Sequence, residues 1–270
     1  MSPQPRIPVV LVFAGLDPTG GAGLQADIEA IASMGCHAAP IATALTVQDT
    51  HDLHRYASTD PGLLIDQARA VLEDMPVHAI KVGMLGSAAT VEAIQSLLAD
   101  YAQIPVVLDP VLAAGGGHHV ADAALVEALL EMLVPQVTVL TPNSSEARVL
   151  APQAATLDQC AQALLSTGCE FVLITGTHEQ TEAVENKLYG EMQLLETYSW
   201  PRLPLSYHGS GCTLAAAIAG LLAQGVEPLA AIYEAQEYTW EALSQGYRLG
   251  TGQLIPNRLF WARGEEEPPA

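Results

Sequence analysis

Lysine is almost absent from this sequence of 270 residues. Lys81 and Lys187 are the only two, and ten basic residues in all stand against thirty acidic ones, which gives a formal net charge of −20 at pH 7. A chain of this charge repels polyanions, which argues against nucleic acid or acidic membrane as a partner. Any phosphate-bearing ligand would have to be held mainly by Mg²⁺ and backbone N–H groups.

Cysteine and long apolar runs are also scarce. The four cysteines, at positions 36, 160, 169 and 212, are too scattered for a CxxC redox or zinc motif, which favours free thiols in a reducing compartment. No apolar run has the length of a membrane helix, and the first residues lack the order of a signal peptide. We therefore expect a cytoplasmic protein that does not bind membranes.

The pattern of apolar residues predicts an α/β fold. Half of the residues are apolar, which is enough for a large core in one domain. Strand-like and helix-like stretches alternate, as in parallel sheets with right-handed crossovers. The predicted strands are 8–14, 38–46, 78–83, 105–109, 137–141 and 171–175, and the predicted helices are 22–34, 62–74, 87–100, 121–133, 156–167 and 212–224. A hairpin is predicted to turn at Gly190 at a sheet edge. We expect one domain over residues 1–263 and a disordered acidic tail over 264–270.

A glycine turn, HGSGCT at residues 208–213, runs directly into the apolar stretch LAAAIAGLL at 214–222. Glycines let a backbone approach a phosphate closely, and the first N–H groups of a helix carry the positive end of its dipole. The same field predicts a lowered pKa for Cys212, whose thiolate would then accept a proton from an attacking hydroxyl. A tight turn into a buried helix, with a small apolar cysteine, accounts for the segment equally well.

A second glycine-rich loop, GLDPTGGAG at residues 15–23, follows an apolar run at 9–14. Further blocks follow in order: TALTVQDT at 43–50, IKVGML at 80–85, VLDPV at 107–111 and LTPNSSEA at 140–147. Together these blocks resemble the hydroxymethylpyrimidine/phosphomethylpyrimidine kinases of thiamine biosynthesis, in the ribokinase-like superfamily, over residues 8–250. The resemblance implies a three-layer α/β/α sandwich with a mostly parallel central sheet and an edge β-hairpin. It also implies ATP-dependent phosphorylation of 4-amino-5-hydroxymethyl-2-methylpyrimidine to its monophosphate, with a second phosphorylation left open.

Each motif follows a predicted strand, so the motifs should converge on one cleft at the carboxyl ends of the strands. Asp109 and Glu146 are carboxylates that can hold Mg²⁺ there. The residues alone favour another role for Glu146, as a charge or capping partner at the start of its helix. The resemblance favours the metal role, and it implies that ATP is contacted by Asn143, Thr175, Gly176, Gly209 and Gly211.

The resemblance further implies that the pyrimidine is bound by Gly15, Asp27, Gln48, Met84 and Val111. Cys212 would be the base near the hydroxymethyl group, and the N–H groups of Gly209, Ser210, Gly211 and Cys212 would hold the developing charge. The residues alone leave other roles open. Asp27 also suits the solvent face of a helix, and Met84 suits core packing. Gln48 ends an apolar run where a buried amide needs partners, which favours a ligand role.

Lysines that many relatives of this family carry are missing here. The corresponding positions read AAGGGHH at 113–119, Thr175 and Leu205. A cationic clamp on the phosphates is therefore either missing or built in another way. In the second case the glycines at 115–117 would form a mobile flap, and His118 or His119 would offer a hydrogen-bond donor. The alternative is a surface loop in which both histidines are solvated. Two other functions stay open, a pyridoxal-type vitamer kinase and a non-catalytic pyrimidine-binding sensor. We expect a homodimer.

Overall fold

Nine strands form one sheet in the computed structural model, which describes residues 7–113 and 120–262. The strands are β1 Val9–Leu16, β2 His37–Gln48, β3 Leu53–Ser58, β4 Val77–Val82, β5 Val106–Leu108, β6 Val139–Leu140, β7 Phe171–Ile174, β8 Ala183–Gly190 and β9 Gln193–Pro201. Their order across the sheet is β3-β2-β1-β4-β5-β6-β7-β8-β9. The strands from β2 to β7 in this order pair in parallel, whereas β3, β8 and β9 are antiparallel.

Helices cover both faces of the sheet. They are α1 Gly23–Ser33, α2 Pro61–Asp74, α3 Ala88–Asp100, α4 Ala123–Ala128, α5 Ser144–Leu150, α6 Leu157–Ser166, α7 Ser210–Ala223 and α8 Pro228–Ser244. One core unites α2 to α6 with the sheet, and a second unites α1, α7 and α8 with its other face. The sequence of strand β1 is a continuous apolar run because successive side chains point to opposite faces of the sheet and both faces are buried. Val9, Leu11 and Phe13 belong to the first core, and Val10, Val12 and Ala14 belong to the second.

The direction in which the chain winds reverses beside β1. From β1 the chain moves to β2 on one side, and after β3 it crosses back to β4 on the other side. Loops therefore diverge at the carboxyl ends of β1 and β4, which opens a crevice where open α/β sheets bind ligands.

The predicted three-layer sandwich, with its mostly parallel sheet and edge hairpin, is confirmed. The hairpin turns one residue later than predicted, at Glu191 and Met192, whose φ values of 49° and 63° suit a two-residue turn between twisted strands. Strand β3 and helix α8 were not predicted. β3 is a short edge strand with most side chains exposed, so it lacks a long apolar run.

The predicted helix at 121–133 is present but changes to a π-helix over Leu129–Leu133. Among the described residues, none of the helices combines the length and apolar composition that a membrane crossing needs. The predicted flap at 115–117, with His118 and His119, and the predicted tail at 264–270 lie outside the described residues. The predicted domain limits stay a prediction.

Candidate active site

The two glycine loops predicted from the sequence pack directly against each other. Gly209 has a φ of +80°, and a Cβ there would lie 2.1 Å from the carbonyl oxygen of Gly21. Gly23 has a φ of +57°, and its Cβ would lie 2.2 Å from the carbonyl oxygen of Gly15. Glycine is required at both positions, since any side chain would collide with backbone. The loop after β1 therefore lies against the first turn of α7.

Asp17 and His208 join these loops by a buried hydrogen bond that the sequence analysis missed. Asp17 Oδ2 lies 2.9 Å from His208 Nε2, and the backbone N–H groups of Thr19 and Ala22 each donate to the Asp17 carboxylate at 2.8 Å. Burial opposes ionisation of Asp17, but the hydrogen bonds from His208, Thr19 and Ala22 outweigh it and lower its pKa. The Asp17 carboxylate thus fixes the residue that precedes the turn into α7.

The first turn of α7 lies beside Asp109 and has backbone donors without a partner. No hydrogen bond within the described part of the chain uses the N–H groups of Ser210, Gly211 or Cys212, as expected for the start of a helix. A Cβ on Gly211 would lie 3.6 Å and 3.7 Å from the two carboxylate oxygens of Asp109. The start of α7 therefore lies next to the end of β5 at Gly211.

A fully buried ion pair, Lys81 with Asp27, lies below this turn. Lys81 Nζ is 2.9 Å from Oδ1 and 3.0 Å from Oδ2 of Asp27, and neither side chain has exposed surface. Burial opposes the charge on Lys81, but Asp27, Cys212 and Asp109 outweigh it and raise its pKa. A Cβ on Gly83 would lie 2.6 Å from Nζ, so glycine at this position makes room for the ammonium group.

Asp27 lies in the core, paired with Lys81, and not on a surface. It is not on the solvent face of α1, and it is not a free polar group in the cleft, because Lys81 lies against both of its oxygens. Direct contact between Asp27 and a pyrimidine ring would require some exposure of this buried carboxylate, and it stays a prediction. Lys81 itself was missed as a site residue, although a single lysine inside the apolar strand β4 was a signal for it.

The predicted lowering of the Cys212 pKa is wrong. Burial of the thiol raises its pKa to about 12, and the carboxylates of Asp109 and Asp27 add to the rise, against the opposing effect of Lys81 and a hydrogen bond from the Gly23 N–H. The sequence argument counted the helix field but not the two carboxylates, which come from β5 and α1. Cys212 therefore holds its proton at neutral pH.

Asp109 and Glu146 are nearly buried, with exposed fractions of 5% and 8%. Burial raises the pKa of Asp109 to about 6, with Asp27 adding to the rise. Burial and the nearby Asp109 raise the pKa of Glu146 to about 8. Like charges brought together in a cleft mark a candidate functional site.

Glu146 also caps α5, which confirms the structural role left open by the sequence. The Asn143 side chain accepts from the N–H of Glu146 at 2.9 Å, and Glu146 Oε2 accepts from the N–H of Asn143 at 2.9 Å. Its other oxygen accepts weakly from the N–H of Leu112 at 3.4 Å. The capping bonds hold the carboxylate near Asp109, and the metal role of both acids stays a prediction.

Three of the residues predicted for the pyrimidine come together at the ends of β1, β2 and β4. A Cβ on Gly15 would lie 3.2 Å from Met84 Sδ and 3.7 Å from the Thr46 methyl carbon. Gln48 donates to the Thr46 hydroxyl at 2.7 Å. Val111 is half-buried just beyond β5, where its N–H donates to the Asp109 carbonyl at 2.9 Å. Thr46, which links Gln48 to Gly15, was missed.

Three of the five residues predicted for ATP lie along the ends of β6 and β7, whereas Gly209 and Gly211 lie at the start of α7. Asn143 and Thr175 form a parallel bridge, and the Gly176 N–H donates to Asn186 at 3.0 Å. A Cβ on Gly176 would lie 2.1 Å from the Glu185 carbonyl oxygen, so the close approach of these strands requires glycine. A cavity of about 150 Å³ beside Gly176 is lined by Leu157, Ile174, Glu179, Thr181, Glu185 and Lys187.

Comparison with known proteins supports the same family as the motifs. A family model described as phosphomethylpyrimidine kinase matches residues 17–257. A hydroxymethylpyrimidine/phosphomethylpyrimidine kinase from Streptomyces coelicolor is 35% identical, over 98% of this chain and 99% of that protein. A thiamine biosynthesis bifunctional protein from Geobacter sulfurreducens is 36% identical over 94% of this chain, which spans 52% of that longer protein.

Among solved structures, an ADP complex of pyridoxal kinase from Bacillus subtilis has a TM-score of 0.87 to this chain at 27% identity. The match covers 96% of this chain and 100% of that one. The resemblance inferred from the glycine loops and the four blocks between them is confirmed. This chain belongs to the phosphomethylpyrimidine kinase family.

Proposed function

We propose that this kinase transfers the γ-phosphoryl group of ATP to the hydroxymethyl oxygen of 4-amino-5-hydroxymethyl-2-methylpyrimidine, in thiamine biosynthesis. The names of the curated relatives support this substrate and this pathway. One observation carries the proposal: within the described residues, the first turn of α7 has unpaired backbone donors, and it lies beside the buried carboxylate of Asp109. Such donors suit an anionic group in transfer, because they need no reorganisation during the reaction.

Asp109 and Glu146 are the residues that would hold Mg²⁺. Within the described residues there is no group of three or more His, Cys, Asp or Glu side chains placed to hold a metal by themselves. Mg²⁺ commonly takes one or two carboxylates together with substrate phosphates and water, so a pair of carboxylates fits Mg²⁺ that arrives with ATP. When bound, the ion would offset negative charge on the phosphates.

The chain's own residues would position the substrate and move the proton. Gln48, Gly15 and Met84 would hold the ring, with its hydroxymethyl group toward α7. Cys212 holds its proton at neutral pH, and the nearby Asp109 carboxylate helps to raise the pKa of its thiol. As the hydroxyl oxygen bonds to the γ-phosphorus and the bond to ADP breaks, the sulfur would receive the hydroxyl proton and pass its own to an oxygen of the transferred phosphoryl group.

The test is ADP formation by the purified protein with the aminopyrimidine alcohol as acceptor, over a range of Mg²⁺ concentrations. We expect saturable turnover that requires both the alcohol and Mg²⁺. A ligand-dependent rise in melting temperature without any ADP formation would contradict the proposal and favour the pyrimidine-binding sensor.

A pyridoxal kinase activity is the second candidate, since the solved structure with a TM-score of 0.87 is a pyridoxal kinase. The same assay with pyridoxal as acceptor separates the two, and we expect a lower kcat/KM for pyridoxal. A homodimeric state, a cytoplasmic location and the lack of a nucleic acid partner stay predictions.

A further inference from the structure

Arg258 places a guanidinium group under both glycine loops. It follows α8 in the chain, and with 1% exposure it is the largest fully buried side chain among the described residues. Its Nε donates to the Thr213 hydroxyl at 2.8 Å, and its terminal nitrogens donate to the carbonyl oxygens of Gly21 and, at 3.5 Å, Gly20. Glu29 balances its charge at 3.1 Å.

These contacts take up the carbonyl oxygens of the loops. The Thr213 hydroxyl, which accepts from Arg258, donates in turn to the carbonyl oxygen of Gly209 at 2.8 Å. The carbonyl oxygens of Gly20, Gly21 and Gly209 are therefore all engaged, while the N–H groups at the start of α7 have no partner among the described residues. The planar guanidinium suits this task, because it offers five donors in one rigid fork.

The segment that carries Arg258 is also anchored by contacts that do not involve the guanidinium group. The backbone carbonyl of Arg258 accepts from the Ser33 hydroxyl at 2.6 Å and from the Tyr238 hydroxyl at 2.8 Å. The segment after α8 therefore has its own attachments to α1 and α8. A change in the guanidinium group can disturb the glycine loops while the segment stays in place.

We propose that Arg258 is a positioning residue for phosphoryl transfer: through Thr213 and Gly21 it sets the direction of the N–H groups of Ser210, Gly211 and Cys212. The inference rests on the proposed function, in which these donors hold the transferring group. Arg258 is 1% exposed, which leaves it almost no surface for contact with a substrate. Its effect is on the alignment of the donors, and misplacement by about 1 Å can cost about 10²-fold in rate.

The test compares Arg258→Met and Arg258→Lys with the wild type in steady-state kinetics. We expect Arg258→Met to lower kcat about 10²-fold, while the Kd of the aminopyrimidine alcohol changes less than about twofold, because the ring contacts lie at the ends of β1, β2 and β4. Arg258→Lys keeps the charge but cannot hold all the acceptors at once, so its kcat should lie between the two.

A matched pair at Thr213 keeps the test decisive if Arg258→Met does not fold. Thr213→Val removes the hydroxyl that links Arg258 to Gly209, whereas Thr213→Ser keeps it. We expect a fall in kcat for Thr213→Val and near wild-type kcat for Thr213→Ser. Tyr238→Phe is the control for the segment, since it removes a backbone anchor without touching the guanidinium; it should lower the melting temperature and leave kcat unchanged.

A binding measurement separates failure of this inference from failure of the proposed function. Calorimetric titration with Mg²⁺ and the ATP analogue AMP-PCP needs no turnover, and we expect weaker binding to Arg258→Lys and Thr213→Val but not to Tyr238→Phe. If the wild type phosphorylates neither vitamer but shows this pattern, the inference stands while the proposed function fails. The positioning role is overturned if the Arg258 and Thr213 variants have a lower melting temperature but an unchanged kcat per folded site and an unchanged affinity for AMP-PCP.

Discussion

Lys81 and Asp27 form an ion pair with no solvent exposure, in which Nζ lies within 3.0 Å of both carboxylate oxygens. The pair links β4 to α1 directly beneath the cleft. Because two charges have been removed from water there, each depends on the other, and loss of either partner leaves an uncompensated charge in the core.

Lys81→Met is expected to lower the free energy of unfolding by about 3–5 kcal/mol, because it leaves Asp27 buried and unpaired. The double variant Lys81→Met/Asp27→Leu removes both charges and should recover most of that loss. Chemical denaturation with guanidinium chloride measures both values. Lys187→Met is the control, since that partly exposed lysine lies 3.8 Å from Asp158 and should contribute less than about 1 kcal/mol. A double variant as unstable as the single one would contradict this account.

Cys212→Ala is expected to reduce kcat by about 10² or more, with pyrimidine affinity almost unchanged, because it removes the group that receives the hydroxyl proton. Rapid-quench kinetics and equilibrium binding measure the two quantities. Cys160→Ala serves as the control, since that cysteine is buried on α6 in the opposite core. Near-normal turnover by Cys212→Ala would remove this residue from the mechanism.

The protein in magnesium-free buffer is expected to lose stability as the pH rises. The folded state raises the pKa of Glu146 from 4.5 to about 8 and that of Asp109 from 3.8 to about 6. Between the ordinary and the raised values the folded state binds more protons than the unfolded state, so the free energy of unfolding falls with increasing pH. Melting temperatures between about pH 5 and about pH 8 measure the slope.

Glu146→Gln is the matched variant for that experiment, because glutamine can still accept the capping hydrogen bond from Asn143 but cannot ionise. We expect a shallower decline of melting temperature in the upper part of the pH range. An unchanged slope would show that Glu146 does not titrate in this interval.

Gln48→Ala is expected to weaken binding of the aminopyrimidine alcohol by about 1–3 kcal/mol, because a polar ring edge would lose its partner in a desolvated cleft. AMP-PCP binding should be unaffected. Isothermal titration with each ligand separately measures the change. A loss of nucleotide affinity instead would reassign the ends of β1 and β2 to the nucleotide.

The second phosphorylation, from monophosphate to diphosphate, is expected to be slower than the first and more sensitive to Mg²⁺ and salt. The cleft would have to accept an additional dianion in a chain with a net charge of −20 and two lysines, one of them paired with Asp27. A time course by ³¹P NMR, starting from the alcohol and ATP at several Mg²⁺ concentrations, follows both products. Diphosphate that forms as fast as monophosphate, without further Mg²⁺ dependence, would refute the charge argument.

The sequence by itself determined the features that depend on neighbouring residues. The alternation of apolar runs gave the parallel sheet, the glycines at 209 and 211 identified the turn into α7, and the spacing of Asn143 and Glu146 identified the capping box. Each of these follows from local backbone geometry or from burial of a periodic face.

Tertiary structure alone decided how the site is charged. Lys81 meets Asp27 across 54 residues, Asp17 meets His208 across 191, and Arg258 meets Gly21 across 237. No local pattern encodes such pairs, because they form where distant elements pack together. For the same reason the pKa of Cys212 rises where the helix field alone predicted a fall, since burial and the carboxylates brought by α1 and β5 outweigh the dipole.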